Sequence, residues 1–338
     1  MKKLAIGVVG VGRIGKVHIK SLALGIPEAQ VVAVTDPQTE EARRIAELYG
    51  IQSVKHDFGE LVRDRSIEAV VICSPTDTHA RYIVEAARAG KHIFCEKPVD
   101  LSLEVIRDAL NEVEKQGVKL MVGFNRRFDP GFRKARVQVE NGKVGEPHLL
   151  KITSRDPGPP PPEYISVSGG IFLDMTIHDF DMARYIVGSE VVEVFAKGRV
   201  LIDKQIGELG DVDTALILLT FENGCLGVID NSRKASYGYD QRLEIFGSAG
   251  MVQVDNCRRD THELSDATGS HKAVLLDFFM DRYIEAYAAE MGAFVEAVIG
   301  ETEVPVSGED GLRSVAIGLA AKRSVAENRP VKLAEILV

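Results

Sequence analysis

Three glycines constrain this chain more than anything else in it. An apolar run, 4–9, ends in Gly10-Val11-Gly12-Arg13-Ile14-Gly15, and a helical pattern with Ile14, Val17, Leu22 and Leu24 follows. Strand, tight turn and helix in that order demand close approach of backbones. Gly10 permits the turn, Gly12 lets a pyrophosphate come near, and Gly15 lets the helix pack on the strand. The helix N-terminus then offers free N–H groups and the positive end of its dipole to phosphate. A lone GxGxxG is a weak signal, so its context decides. A second apolar run, 31–35, ends at Asp36. That is about 20 residues past the glycines, where a carboxylate accepts the adenosine ribose hydroxyls. The same carboxylate would repel a 2′-phosphate, so NAD is expected rather than NADP. The plainer alternative for Asp36 is a turn acid before Pro37.

Apolar and helical patterns alternate as far as Phe124. Strands are expected at 4–9, 31–35, around Val54, 69–73, 92–95 and 120–123, with helices at 13–24, 39–49, 58–63, 78–89 and 103–116. Such alternation gives an α/β Rossmann domain over 1–124, a doubly wound parallel sheet. Ligands lie at the carboxyl ends of its strands. The tips Gly10 to Gly15, Asp36, Ser74-Pro75-Thr76, Glu96-Lys97-Pro98 and Asn125 should therefore cluster at a cofactor. His79 is expected near that edge, in contact with nucleotide or water, whereas His18 and His92 read as structural.

Residues 125–338 read as an α+β domain for substrate binding and oligomerisation. A helix is expected at 130–141 and a strand at 147–155. The proline-rich 157–162 should be extended, as a connector or a lid. A helix at 173–187 is followed by strands at 191–199, 214–221, 225–232, 241–246 and 251–254. The polar 260–272 reads as loop, and helices at 281–299 and 309–327 close the chain. This makes a large, mainly antiparallel, open-faced sheet, and an uncovered face points to a homo-oligomer, dimer or tetramer.

The 338 residues suit two domains. A net charge of −9 argues against nucleic acid or an anionic membrane surface as partner. No apolar run reaches the ~18 residues of a membrane span. Met1-Lys2-Lys3 leads straight into a strand without a signal-peptide core, and Cys73, Cys95, Cys225 and Cys257 are widely spaced. A cytoplasmic protein with reduced thiols and no metal site is expected.

Two groups of residues could do chemistry. Lys97 lies at the sheet's carboxyl edge, where a lysine can hydrogen-bond a substrate oxygen or simply pair with Glu96. Asp174, His178 and Asp181 fall at i, i+4 and i+7, one face of a helix. That face could be a proton relay with histidine as base, a solvated charged stripe, or part of a metal pair. No GxSxG, HExxH or Walker A sequence occurs.

Taken together, Gly10 to Gly15, Asp36, Glu96-Lys97-Pro98 and Asp174 with His178 resemble the Gfo/Idh/MocA oxidoreductase family over the whole chain. Phe94 to Pro98, Gly123 to Asp129 and Tyr237 to Asp240 resemble its members that act on cyclic polyols. The resemblance implies NAD-dependent oxidation of a ring hydroxyl, with myo-inositol giving scyllo-inosose. Scyllo-inositol, glucose and other sugars are alternatives, as is a nucleotide-binding sensor without turnover. It implies that Lys97, Asp174 and His178 are catalytic, that Arg127, Asp156, Asp181 and Tyr237 contact substrate hydroxyls, and that helix 309–327 packs back on the first domain.

Overall fold

The computed structural model describes residues 3–337. In chain order the elements are β1 (Leu4–Val9), α1 (Arg13–Gly25), β2 (Ala29–Thr35), α2 (Thr39–Tyr49), β3 (Ser53–Val54), α3 (Phe58–Arg63), β4 (Ala69–Ile72), α4 (Thr76–Arg88), β5 (His92–Glu96), α5 (Leu103–Gln116) and β6 (Leu120–Gly123). A 3-10 turn, Asn125–Phe128, precedes α6 (Pro130–Glu140), β7 (Pro147–Arg155), α7 (Pro162–Ser168), α8 (Ile171–Asp174), α9 (Ile177–Val187), β8 (Val191–Arg199) and α10 (Lys204–Glu208). Then come β9 (Thr214–Phe221), β10 (Leu226–Ser232), β11 (Asp240–Gly247), β12 (Met251–Val254), β13 (Glu263–Asp266), β14 (Gly269–Lys272), α11 (Phe279–Arg282), α12 (Ile284–Ile299), α13 (Gly308–Glu327) and β15 (Val331–Lys332).

The chain forms two compact units, Met1–Phe128 with Ile284–Val315, and Asp129–Tyr283 with Ala316–Val338. The division therefore falls later than Phe124 and is crossed again at α12 and inside α13. α12 groups with the first unit because its apolar residues fill that unit's core. Phe294 meets Phe94 edge-on at 5.9 Å, and Tyr287 meets His18 at 5.6 Å. The start of α13 is equally close to its own unit: a Cβ on Gly308 would lie 2.2 Å from Leu110, and one on Gly311 3.3 Å from Val99.

The first unit carries a six-stranded parallel sheet in the order β3-β2-β1-β4-β5-β6. Its central strands are apolar on both faces, because helices cover both: Ile6, Val8, Val70, Val71, Ile93 and Phe94 are all fully buried. The order reverses between β1 and β4, and ligands bind at such a switch point.

The second unit is built on a seven-stranded sheet, β12-β11-β7-β10-β9-β8-β15. β7 and β10 run parallel and every other neighbouring pair is antiparallel. The alternating strands bury one face, on which α6 and α9 pack. Four local expectations change, and one is the helix expected over 281–299, which is two, α11 and α12, parted at Tyr283. Residues 263–272 form an exposed hairpin, β13–β14, instead of loop. The proline run stays extended only to Pro161, and Pro162 opens α7 at a position where no N–H is needed. The helix expected over 173–187 is two helices. Thr176 turns both its N–H (2.8 Å) and its Oγ1 (3.1 Å) onto the carbonyl of Ile171, which ends α8 before α9 begins.

Candidate active site

The glycine turn of the first unit is shaped by what surrounds it. Gly10 has φ +89°, and a Cβ there would lie 2.5 Å from the carbonyl oxygen of Cys73. A Cβ on Gly15 would lie 2.0 Å from the Gly10 oxygen. Gly12 differs, since a Cβ there would meet nothing within 4 Å. Among the described residues no neighbour demands that glycine, so the space beside it is open to a ligand such as a pyrophosphate. Gly12 caps α1, whose first turn has no acidic residue and no side-chain cap, so its N–H groups remain for an anion. Arg13 is exposed beside them and Ile14 is half-buried. Asp36 follows β2 and reaches the turn, accepting from the N–H of Val11 and of Gln38, each at 2.8 Å. Asn125 is 2 % exposed at the tip of β6, and its Nδ2 has no hydrogen-bond partner. An open glycine, an uncapped helix start, a ribose-type acid and a buried unused amide donor fit a dinucleotide.

At the next strand tip, Ser74 Oγ lies 2.6 Å from Thr78 Oγ1. Pro75 and Thr76 begin α4 without a side-chain cap. His79 is not turned toward a ligand as expected. It is 2 % exposed, with Nδ1 2.7 Å from the Pro98 oxygen and Nε2 2.8 Å from the Ser74 oxygen. Burial pushes its pKa down against the pull of these two carbonyls. It ties the loop after β4 to the loop after β5.

Glu96 also faces inward. Its Oε1 lies 2.6 Å from Nε2 of His18, which is 0 % exposed. Glu290 of α12 brings a third buried side chain to within 4.8 Å. Two ligands of one tetrahedral zinc at ~2.1 Å would stand more than ~3 Å apart. The His18–Glu96 contact is shorter, so it is a hydrogen-bonded pair. Lys97 follows, half-buried, joined to Pro98 by a cis peptide bond. Arg127 pairs with Asp310 at 2.9 Å, which gives its guanidinium a structural partner within its own unit.

In the second unit, Asp174 ends α8, while His178 and Asp181 sit on α9, so the three do not share one continuous helix. Asp174 and His178 are half-buried, whereas Asp181 is 0 % exposed. Asp174 Oδ1 accepts from Tyr164 at 2.9 Å, and Oδ2 accepts from Arg233 at 3.1 Å. Behind α9, Thr176 Oγ1 donates to Asn231 at 2.6 Å, and Asn231 Nδ2 donates to Asp179 at 2.9 Å. Asp156 lies just past β7, where its N–H donates to the Ser232 oxygen at 2.9 Å. The ring of Tyr237 is exposed, but its hydroxyl donates to Asp240 at 2.6 Å and accepts from Arg155 at 2.9 Å. That hydroxyl is used inside the protein and not held out for a substrate.

Sequence reasoning overlooked Tyr164, Arg233 and Asp211 and did not pair His18 with Glu96. The partners of Arg233, Asp211 and His18 lie 59, 40 and 78 residues away, so no local spacing marks them.

A family model described as "Oxidoreductase family, NAD-binding Rossmann fold", GFO_IDH_MocA, matches residues 4–124, and the GFO/IDH/MocA C-terminal domain matches residues 132–253. The chain is 50 % identical over 334 residues to a protein from Thermotoga maritima named myo-inositol 2-dehydrogenase, covering 99 % of this chain and 100 % of the other. It is 50 % identical over 328 residues to one from Rhizobium meliloti named inositol 2-dehydrogenase, covering 97 % and 98 %. Among solved structures, a scyllo-inositol dehydrogenase from Lactobacillus casei with bound NAD(H) and scyllo-inositol superimposes with a TM-score of 0.91 at 31 % identity, covering 98 % of this chain and 100 % of that one.

Proposed function

The chain belongs to the Gfo/Idh/MocA oxidoreductase family, and on that premise we propose that it is an NAD-dependent inositol 2-dehydrogenase. It oxidises one ring hydroxyl of myo-inositol, giving scyllo-inosose, NADH and a proton. The observation that carries this reading is half identity over nearly the whole length to proteins named for that activity. Scyllo-inositol is the second candidate substrate, since relatives named for it share both the fold and the cofactor.

When bound, NAD⁺ supplies the hydride acceptor. Gly10 to Gly15, with the start of α1, hold its pyrophosphate, and Asp36 holds the adenosine ribose. Ser74 to Thr76, Glu96, Lys97 and Asn125 belong to the same strand-tip edge. His178 takes the hydroxyl proton as general base. Lys97 donates a hydrogen bond to the same oxygen and stabilises the charge developing there. Asp174 orients His178 and accepts a neighbouring substrate hydroxyl. Asp156 adds an acceptor suited to an uncharged polyol, whereas Asp181 is 0 % exposed and the Arg127 guanidinium is paired with Asp310. The test is NADH formation by purified protein with myo-inositol, scyllo-inositol or glucose, run with NAD⁺ and with NADP⁺. Turnover of myo-inositol with NAD⁺ supports the reading; silence with all three, while NAD still binds, sinks it.

The face of the second unit's sheet opposite α6 and α9 favours a homo-oligomer. Met251, Phe246, Leu149 and Leu226 line up across four strands in register, each at least 42 % exposed, and Leu216 and Leu218 stand beside them. We assign this face to a second copy of the chain, in a dimer or tetramer, because its apolar row is flanked by the ladder pair Lys151–Glu244. Leu218→Asp should shift the mass in light scattering toward monomer, and an unchanged mass would discard the assignment. The four cysteines are free thiols, which suits the reducing cytoplasm where we place the enzyme. Among the described residues no helix is long and apolar enough to cross a membrane.

A further inference from the structure

Arg233 follows β10 and is 1 % exposed. Its Nη1 donates to Asp174 Oδ2 at 3.1 Å, and its Nη2 lies 3.9 Å from Asp211 Oδ2. Asp211 is itself anchored, since its two oxygens accept the N–H of Ile171 at 3.1 and 3.0 Å. That seat requires Gly170, at φ +81°, because a Cβ there would lie 2.6 Å from Asp211 Oδ1. The main chain of Arg233 is held as well, its N–H donating to the Asp213 oxygen at 2.8 Å.

This is a costly arrangement. Guanidinium cannot shed its proton, and desolvating a cation costs several kcal/mol. Here Nε and Nη2 make no hydrogen bond. A buried polar group of this kind calls for an explanation. What the burial achieves is a permanent positive charge on one chosen oxygen of Asp174. The other oxygen has a different kind of partner. Asp174 Oδ1 accepts from the hydroxyl of Tyr164, a residue 47 % exposed. One oxygen is thus fixed from the core and the other faces a partner that solvent can reach.

We propose that Arg233 is a positioning residue of the dehydrogenase: it fixes Asp174 through Oδ2, so that Oδ1 exchanges the Tyr164 hydroxyl for a hydroxyl of the substrate. The inference rests on the role given to Asp174 above. Arg233 touches neither substrate nor cofactor and acts through that carboxylate. Without that contact Asp174 is no longer held by Oδ2, so Oδ1 is not presented to the substrate in one fixed place.

The experiment compares wild type, Arg233→Met and Arg233→Lys in kcat and KM for myo-inositol and in NAD affinity. Arg233→Met is expected to bind NAD normally and to lose kcat on the order of 10²-fold. Arg233→Lys restores a donor and a charge beside Oδ2, and with them part of the turnover. A folded Arg233→Met with wild-type turnover, or a loss that Arg233→Lys does not rescue at all, overturns the inference. If Arg233→Met does not fold, Asp211→Asn loosens the same guanidinium: a lower kcat with NAD affinity kept supports the inference, and wild-type values overturn it. Asp174→Asn separates the two levels. If it keeps full activity, the role of Asp174 itself falls; if it is inactive while Arg233→Met is normal, only the positioning role falls.

Discussion

Asp36 Oδ2 accepts the N–H of Val11 at 2.8 Å, so the acid after β2 rests on the glycine turn after β1. On the proposed reading the same carboxylate also holds the adenosine ribose. Asp36→Asn keeps one acceptor but loses the charge that repels a 2′-phosphate. Its kcat/KM with NAD⁺ should fall about tenfold, 1.4 kcal/mol, while that with NADP⁺ rises. An unchanged ratio between the two cofactors would remove Asp36 from the discrimination.

Gly12 and Gly15 should separate binding from folding. Gly12 has φ −65° and ψ −164°, open to any residue, and a Cβ there meets no protein atom. Gly12→Ala should melt like wild type and bind NAD at least about tenfold more weakly. Gly15→Ala forces a methyl against the Gly10 carbonyl and should lose stability before binding can be measured. Equal melting temperatures for the two variants would contradict this.

His18 and Glu96 form a buried pair, and removing one partner strands the other. His18→Leu should cost about 3 kcal/mol in urea unfolding. The carboxylate of Glu96 lies against Gly123, where a Cβ would be 3.1 Å from Oε2, so nearby backbone leaves it little room to turn away. A midpoint equal to wild type would show that the pair contributes nothing net.

His178→Ala should reduce turnover by about 10²–10⁴-fold, the usual range for a lost general base, with NAD affinity kept. Near-normal turnover would end its assignment as base.

Asp213 carries a pH prediction. It is 0 % exposed and accepts the N–H groups of Leu201, Ile202 and Asp203 and the hydroxyl of Thr214. Burial alone would raise its pKa, but these four donors together hold it below the ordinary value. A carboxyl with a lowered folded-state pKa adds stability that is full above the unfolded value of ~3.9 and is lost as pH falls through the folded one. Asp213→Asn should therefore unfold at lower urea than wild type at pH 7, with the gap closing on acidification below about pH 4. A gap that is constant from neutral to acid pH would refute the linkage.

The glycine turn was legible because its causes are local: a carbonyl 2.0 Å from a hypothetical Cβ leaves one residue type. The order of strands and the acid after β2 followed from periodicity for the same reason. The break at Met175-Thr176 was hidden, since Ile171 to Val187 keeps a helical pattern and only Thr176's bonds to one carbonyl interrupt it. Arg233 sits in a polar stretch, Asn231-Ser232-Arg233-Lys234, that reads as solvated. Its partner Asp174 lies 59 residues away, beyond any spacing rule. Tyr237 was read as a substrate contact because its hydroxyl is the obvious chemical handle. The pairing of Asp240 with Arg155 across two strands captures that hydroxyl.

The first unit is assembled from two separate stretches of chain, residues 1–128 and 284–315. On a ribosome adding roughly 5–20 residues per second, α12 follows β6 by about ten seconds or more. During that wait the glycine turn and its sheet can form, but Phe94 and His18 lack Phe294 and Tyr287 against them. A nascent chain that stops before α12 leaves Phe94 and His18 without those partners beneath the glycine turn. Its apolar surface is then open to water until the second stretch arrives.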